Sequence, residues 1–395
     1  MINRFTDKNV MTNSEKLFQQ FDQTLCDQGK TAALQFLANH FRGTRQFPEL
    51  FEVLKANIRL NMDLPLLPTD NLDQLDESVQ RQLEDQLLEA CRETGYALLE
   101  DGQIAQAWMY LQPLPDRNNI KAAFEAIEIN DENSAQFLDV ALYGGAAPEA
   151  GYQLLLRQQG TCNGITFFDT QASYQDQSTQ TNLGEILVGH IYNELRENVS
   201  AQIAEKDGPQ SKEVSLIDLI SDRDWLFEGC GHHLDVTHLA SVVRIARCCQ
   251  NEPHLQMAQE LSQYGMRLDE QLHYPGDQPF TDNYKDHYMY FCGRLKQDLK
   301  NAIGHFRGKL ATEKDEDDRE AIRSVIVELL CCSGETKAAI DELINEKFTN
   351  ADMSMLISIA QTDADYECVK KHFQQNEDLL RYCLSAIAQK QDRPT

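Results

Sequence analysis

C-R-E-T-G-Y-A-L-L-E-D-G-Q-I-A-Q-A-W-M-Y-L, the stretch from Cys91 to Leu111, decides how the rest of the chain is read. A helix ends in Leu98-Leu99-Glu100-Asp101, Gly102 lets the chain turn, and Ala105, Ala107, Trp108 and Leu111 carry a second apolar helix. The alanines, one turn beyond the glycine, let that second helix lie close against the first. The same device recurs twice. Leu25-Cys26-Asp27-Gln28-Gly29 is followed by Ala32, Ala33, Leu34 and Leu37, and Leu329-Leu330-Cys331-Cys332-Ser333-Gly334 by Ala338, Ala339, Ile340 and Leu343.

Working outward, the apolar residues keep a helical period and not an alternating one, so little or no strand is expected. Leu17, Phe18, Phe21 and Leu25 mark a first helix that Gly29 stops. Ala32, Ala33, Phe36, Leu37 and Phe41 mark a second, stopped by Gly43. A third opens at Pro48, a favoured first-turn residue, and runs to Leu60. Such short breaks imply antiparallel neighbours. Leu64-Pro65-Leu66-Leu67-Pro68 reads as an extended connector, because proline removes a donor and restricts the residue before it.

The middle departs from this pattern. A helix stops near Gly160, and the β-branched and aromatic residues of Thr161 to Phe168 weaken a helical reading of that segment. Asp169 to Thr181 is expected as loop, Leu183 to Glu205 as a long amphipathic helix, and Ser215 as the cap of a short helix over Leu216 to Ile220. The loop from His273 to Asp282 is rich in turn residues and aromatics. Helices are expected again at Tyr284 to Gly293, at Leu295 to Leu310 and, in pairs, from Ala321 to Arg381. Gln389 to Thr395 reads as a frayed tail.

The glycine-turned pairs resemble tetratricopeptide-like helical repeats in degenerate form, since the glycines do not recur at a fixed spacing. The expected fold is therefore all-α, an irregular α-solenoid of antiparallel helix pairs with a loop-rich central insertion. Its expected segments are an N-terminal helix bundle over 1–68, repeat-like helix pairs over 69–159, a central segment over 160–290 and C-terminal helix pairs over 291–395. The resemblance implies a concave surface that binds peptides or other proteins. Thr161 to Thr166 (T-C-N-G-I-T), Asp224 to Phe227 (D-W-L-F) and His233 to Arg244 (H-x-D-x-x-H-L-A-S-V-V-R) are also similar to an uncharacterised bacterial helical family, which implies no activity.

Charge narrows the partners. Acidic residues outnumber basic ones 63 to 36, a net −27, with no local basic patch. Such a field repels phosphate backbones and anionic membrane surfaces, so neither nucleic acid nor membrane is the expected partner. Met1 to Lys8 carries a charge every few residues and lacks the apolar core of a signal peptide, and no later run spans a bilayer. Eleven cysteines, an odd number without C-x-x-C, several of them placed on apolar helix faces (Cys26, Cys91, Cys368, Cys383), fit a reducing compartment. A cytoplasmic protein is expected.

Chemistry concentrates between residues 160 and 290. His232, His233, Asp235 and His238 lead into an apolar helix, beside Trp225 and Phe227. Asp235 and His238 are three apart, His190 and Glu194 four apart, so each pair shares a helix face, and Asp282, Asp286 and His287 form a third source. Helical bundles hold divalent metals with carboxylate-x-x-His on one helix and a further ligand from another. On this reading His233, Asp235 and His238 are metal ligands, and Trp225, His190, Glu194, Asp286 and His287 line one polar concavity. The competing reading is structural: Asp235 or Thr237 caps the next helix, His190 and Glu194 share an ordinary hydrogen bond, and Trp225 is core. Cys162, just after a glycine, would be a nucleophile if a helix N-terminus and a histidine lowered its pKa. No G-x-S-x-G, phosphate-cradling loop or dinucleotide fingerprint occurs. Two functions stay open: a protein–protein interaction scaffold, or a metal-dependent enzyme or ligand-binding protein using these residues.

Overall fold

A computed structural model of the protein describes residues 12–66, 75–208, 211, 214–345, 353–360 and 362–391. Met1 to Lys8, Leu67 and Pro68 of the connector, and 392–395 of the tail lie outside them. Among the described residues the fold is all-α, with no strand and one isolated antiparallel bridge between Pro275 and Asp282. The chain forms two compact units, 1–154 and 155–395.

The first unit holds α1 (Asn13–Gln28), α2 (Lys30–Gly43), α3 (Phe47–Asn61), α4 (Glu77–Glu100), α5 (Ile104–Leu111), α6 (Arg117–Glu125) and α7 (Ser134–Leu138). Each of α1 to α5 packs on its chain neighbour. A capping box starts α1: Glu15 N–H donates to Thr12 Oγ1 at 3.2 Å, and Thr12 N–H donates to Glu15 Oε2 at 2.8 Å. Gly29 (φ +88°) and Gly102 (φ +77°) make the turns that the sequence assigns to them. The connector is held because Arg59 Nε, in a buried side chain, donates to Pro65 O at 2.5 Å.

Closeness in the α4–α5 pair comes from both sides. Ala107 is fully buried on α5, while on α4 a Cβ added at Gly95 would lie 2.6 Å from Leu111 Cδ2. Trp108 completes the core edge-on to Phe124, with ring centroids 5.8 Å apart.

The boundary between the units falls within α8 (Pro148–Thr170), which is broken at Gly160 (φ +80°). The second unit continues through α9 (Gln177–Asp207), α10 (Leu216–Ile220), a 3-10 turn at Asp224–Cys230, α11 (Val236–Ile245), α12 (Glu252–Met266) and α13 (Asn283–Arg294). It ends with α14 (Leu299–Thr312), α15 (Glu316–Ser333), α16 (Thr336–Asn345), α17 (Met353–Ile359), α18 (Asp363–Gln375) and α19 (Leu379–Gln391). Leu187, Ile191, Leu195, Val199 and Ile203 form a fully buried stripe on α9. Each is worth roughly 1.5–3 kcal/mol of transfer free energy.

Three local expectations change. Thr161 to Phe168 is helical, because burial of Phe167 and Phe168 outweighs the β-branched residues' weak preference. Most of the expected loop over 169–181 is helix, since Asp176 accepts from Thr179 N–H at 3.0 Å and starts α9 early. Cys26 and Cys383 are exposed, so the apolar faces they stand on are not buried there; all eleven cysteines are free thiols.

Candidate functional site

The turn leading into α11 is fixed by local bonds. Asp235 Oδ1 accepts from Thr237 N–H at 2.8 Å and His238 N–H at 3.3 Å, and from Thr237 Oγ1–H at 2.5 Å. The Thr237 hydroxyl, more than any other group, holds the Asp235 carboxyl below its ordinary pKa. This carboxylate is the N-cap of α11, and His238 enters through its main chain.

His233 belongs to a different set. Tyr264 Oη accepts from His233 N–H at 3.0 Å and lies 2.8 Å from ring Nδ1, while Nε2 meets Gln202 Oε1. A hydroxyl that accepts from the main chain can donate to Nδ1, which leaves the proton on Nε2 to be donated to Gln202. A neutral ring fits this network, and burial lowers the His233 pKa. Burial also pushes the Tyr264 hydroxyl up to about 12. Asn198 Nδ2 donates to His233 O at 2.8 Å, so the turn is strapped to α9 and α12. Trp225 is half-buried with Lys206 Nζ 4.0 Å above its ring; Leu226 is the buried residue of that turn.

His190 lies elsewhere on α9, with Nε2 3.2 Å from Thr161 Oγ1 and 3.9 Å from Glu194 Oε2. Cys162, beside Thr161, is exposed.

Asp286 and His287 are adjacent on α13 and take part in unrelated contacts. Asp286 Oδ1 accepts from His305 Nε2 at 2.6 Å, and Oδ2 accepts from Asp282 N–H at 2.9 Å and from Lys309 Nζ. Burial alone would raise this carboxyl's pKa; the bonds from His305 and Lys309 outweigh it and hold the group low. His287 stacks on Phe280 at 4.1 Å, and Nδ1 donates to Asn283 O at 2.5 Å. Burial drives its pKa down to about 3. Its Nε2 has no hydrogen-bond partner among the described residues.

The residues expected to line one polar concavity have distinct hydrogen-bond partners. His190, His233, Asp235, His238, Asp286 and His287 are held in separate local bonds, and α13 reaches α11 through Asn283 Nδ2 donating to Ala240 O at 3.2 Å. Among the described residues no three His, Cys, Asp or Glu side chains stand where one ion could be held. The sequence reading missed Tyr264, Gln202, His305 and Lys309. The signal for the last two was their four-residue spacing, which gives them one face of α14.

A cavity exists elsewhere. Between α3 and α4 a groove of about 430 Å³ is lined by Leu54, Asn57 and Ile58 from one helix and Gln86, Glu89, Ala90, Arg92, Glu93 and Tyr96 from the other. Positions 86, 89, 90 and 93 repeat at i, i+3, i+4 and i+7, the spacing of a continuous helix face. Leu54, Ile58 and Ala90 make the floor apolar. Glu89 and Glu93 are exposed carboxylates on its rim, and Arg92 bridges both Asp116 and, at 3.4 Å, Glu89. Glu93 is bridged to Arg42 at 2.6 Å. Asn57 Oδ1 is buried without a hydrogen-bond partner among the described residues, an acceptor a bound group could use. In comparisons with known proteins, no family model, no curated protein and no solved structure matches this chain.

Proposed function

We propose that the protein is a tetratricopeptide-like helical-repeat scaffold of the cytoplasm that binds protein or peptide partners, and that the α3–α4 groove is a binding surface. The groove carries the reading. Its volume lies within the roughly 300–1,000 Å³ of ligand sites. Its apolar floor between two helices suits an amphipathic helix laid in a groove, with anchors every three or four residues. Glu89 and Glu93, each bridged to an arginine of the chain but still exposed, favour a segment with Lys or Arg beside those anchors. An odd count of eleven cysteines with no C-x-x-C supports a reducing compartment. The other function open from the sequence, a metal-dependent enzyme or ligand-binding protein, asks the His190 helix, the His232–His238 turn and Asp286/His287 to form one site, and the side chains of His190, His233, Asp235 and Asp286 each have their own local partners.

Fluorescence anisotropy with a panel of helical peptides tests the groove. Peptides with leucines at i, i+4 and i+7 flanked by Lys should bind, and the same peptides flanked by Glu should not. Ile58→Glu should abolish binding at unchanged circular dichroism. Equal binding of both peptide sets, or no effect of Ile58→Glu, overturns the reading.

A further inference from the structure

Cys248 and Cys249 are adjacent thiols where α9, α11 and α12 meet. Cys248 ends the 3-10 turn Ala246–Cys248 that follows α11, and Cys249 is extended at φ −63° and ψ 142°. With the backbone changing direction at the pair, the two thiols share a hydrogen bond. Cys331 and Cys332 are the contrast. Both lie within α15, where successive side chains point about 100° apart, and burial is what raises each thiol.

The main chain of the pair is fixed on three sides. Cys248 O accepts from Thr181 Oγ1 of α9 at 2.9 Å, Cys249 O accepts from Arg294 Nη2 of α13 at 3.2 Å, and Cys249 N–H donates to Ala246 O at 3.0 Å. Space for the Cys248 sulfur is made on α9. A Cβ added at Gly184 would lie 2.2 Å from it, and the thiol donates to Gln180 O at 3.4 Å. Cys249 is buried and Cys248 half-buried, so an entering ion would meet Cys248 first.

Two chemistries compete for such a pair. A disulfide needs Cα atoms roughly 4.4–6.8 Å apart, whereas a trans peptide sets neighbouring Cα atoms about 3.8 Å apart. That strain makes a 248–249 disulfide easily reduced, and the pair stays a dithiol. An ion between the sulfurs relieves the constraint, because it lengthens the bridge by one atom. The number of ligands then selects the ion. Zinc takes four, and among the described residues no third His, Cys, Asp or Glu joins the two thiols where one ion could be held. Glu185, whose charge reaches both thiols, is already occupied by the main-chain N–H groups of Gln250 and Asn251 and by Asn251 Nδ2. Soft thiolates select monovalent copper, an ion that two sulfurs satisfy. We propose that Cys248 and Cys249 bind one Cu(I) ion as a two-thiolate site. Both thiol protons leave on binding, and the Arg294 guanidinium, held against Cys249 O, offsets the single negative charge that remains. The hydrogen bond from Cys249 holds the Cys248 thiol below its ordinary pKa, so Cys248 supplies the first thiolate. The site belongs to the second unit and does not depend on the α3–α4 groove.

Anaerobic titration of the full, reduced chain with the Cu(I)–bicinchoninate complex tests it. Wild type should withdraw one equivalent of copper from the chelator and develop a copper–thiolate charge-transfer band. Cys248→Ala and Cys249→Ala should each lose that equivalent and that band at unchanged circular dichroism, while Cys331→Ala with Cys332→Ala should keep both. Cys248→Ser preserves side-chain size, so it separates loss of the thiolate from loss of packing and should behave as Cys248→Ala. A wild type that withdraws no copper overturns the proposal, as does an equivalent that survives Cys248→Ala with Cys249→Ala. Zinc offered in place of copper should be taken equally by wild type and Cys248→Ala; zinc uptake lost in the variant overturns the choice of ion. Alkylation after exposure to glutathione disulfide should still find both thiols free, and a 248–249 disulfide would overturn their assignment as a standing dithiol.

Discussion

His305 Nε2 on α14 lies 2.6 Å from Oδ1 of Asp286 on α13, and Asp286 is only 1% exposed. Lys309, one turn beyond His305, takes the other carboxylate oxygen. The pair fixes α14 on α13 by charge in a region otherwise held by apolar contacts. Removing one member of a buried ion pair leaves the others uncompensated, a loss of about 3–5 kcal/mol for full burial. His305 and Lys309 keep some exposure, so Asp286→Ala is expected to cost about 2–3 kcal/mol in denaturant unfolding. The Asp286 pKa is depressed on folding, so its contribution is complete above the unfolded value near 4 and is lost as pH falls through the folded one. Urea titrations between pH 5 and pH 2 should show an acid loss in wild type that Asp286→Ala lacks.

His287 has a pH window of its own. Its folded pKa of about 3 lies below the unfolded value near 6.5, so between those limits the unfolded chain binds a proton that the folded chain does not. Stability contributed by the neutral ring is complete above about pH 6.5 and declines toward pH 3. Between pH 7 and pH 5 the decline should be about 2 kcal/mol, from roughly 1.4 kcal/mol per pH unit. His287→Phe should flatten the stability profile over that range. An unchanged slope in the variant would exclude this residue as its source.

The Asp235 cap gives a smaller and more local effect. Asp235→Ala removes the acceptor for two first-turn amides of α11 and should cost about 1 kcal/mol, with Asp235→Ser retaining most of it. Chemical denaturation of the two variants side by side measures the difference. Metal content should not distinguish them, because the carboxylate is occupied by its own helix.

Gly95 is expected to tolerate no side chain larger than hydrogen. A methyl group there would meet Leu111 at 2.6 Å in a core where Leu111 is fully buried. Gly95→Ala should cost about 1–3 kcal/mol as overpacking, despite alanine's better helix propensity. Leu111→Ala in the same chain should recover part of that loss, a coupling visible in a double-mutant cycle.

Much of the fold was legible because it depends on local chemistry. Gly29, Gly102 and Gly334 have φ of +88°, +77° and +83°, the backbone that a glycine-turned helix pair demands. Asp235 and Ser215 cap the helices expected of them. What the sequence leaves open is which face meets which neighbour. Cys26 and Cys383 sit in helices of apolar periodicity, yet both side chains are exposed. His190, His233 and His287 share a residue type and a stretch of chain, but nothing in their spacing says that Thr161, Tyr264 and Phe280 are their partners. The α3–α4 groove is a gap between helices, and periodicity carries no information about gaps.

The long stripe on α9 bears on how the molecule comes apart. Repeat arrays in which each unit touches only the next unravel from their ends. α9 packs on α10, α11 and α12, and its Glu185 accepts from the main-chain N–H groups of Gln250 and Asn251 at 3.0 Å, ahead of α12. Contacts that span so much chain must be lost together, so 177–294 should behave as one cooperative block. From α15 onward, the described helices meet neighbours close in sequence, and α19 leaves Leu380, Leu384 and Ile387 exposed. Native-state hydrogen exchange should then show a gradient: amides of α9, α12 and α13 open only with global unfolding, while those of α18 and α19 open earlier through fraying. The second unit would thus join a rigid inner body to a loosely held end.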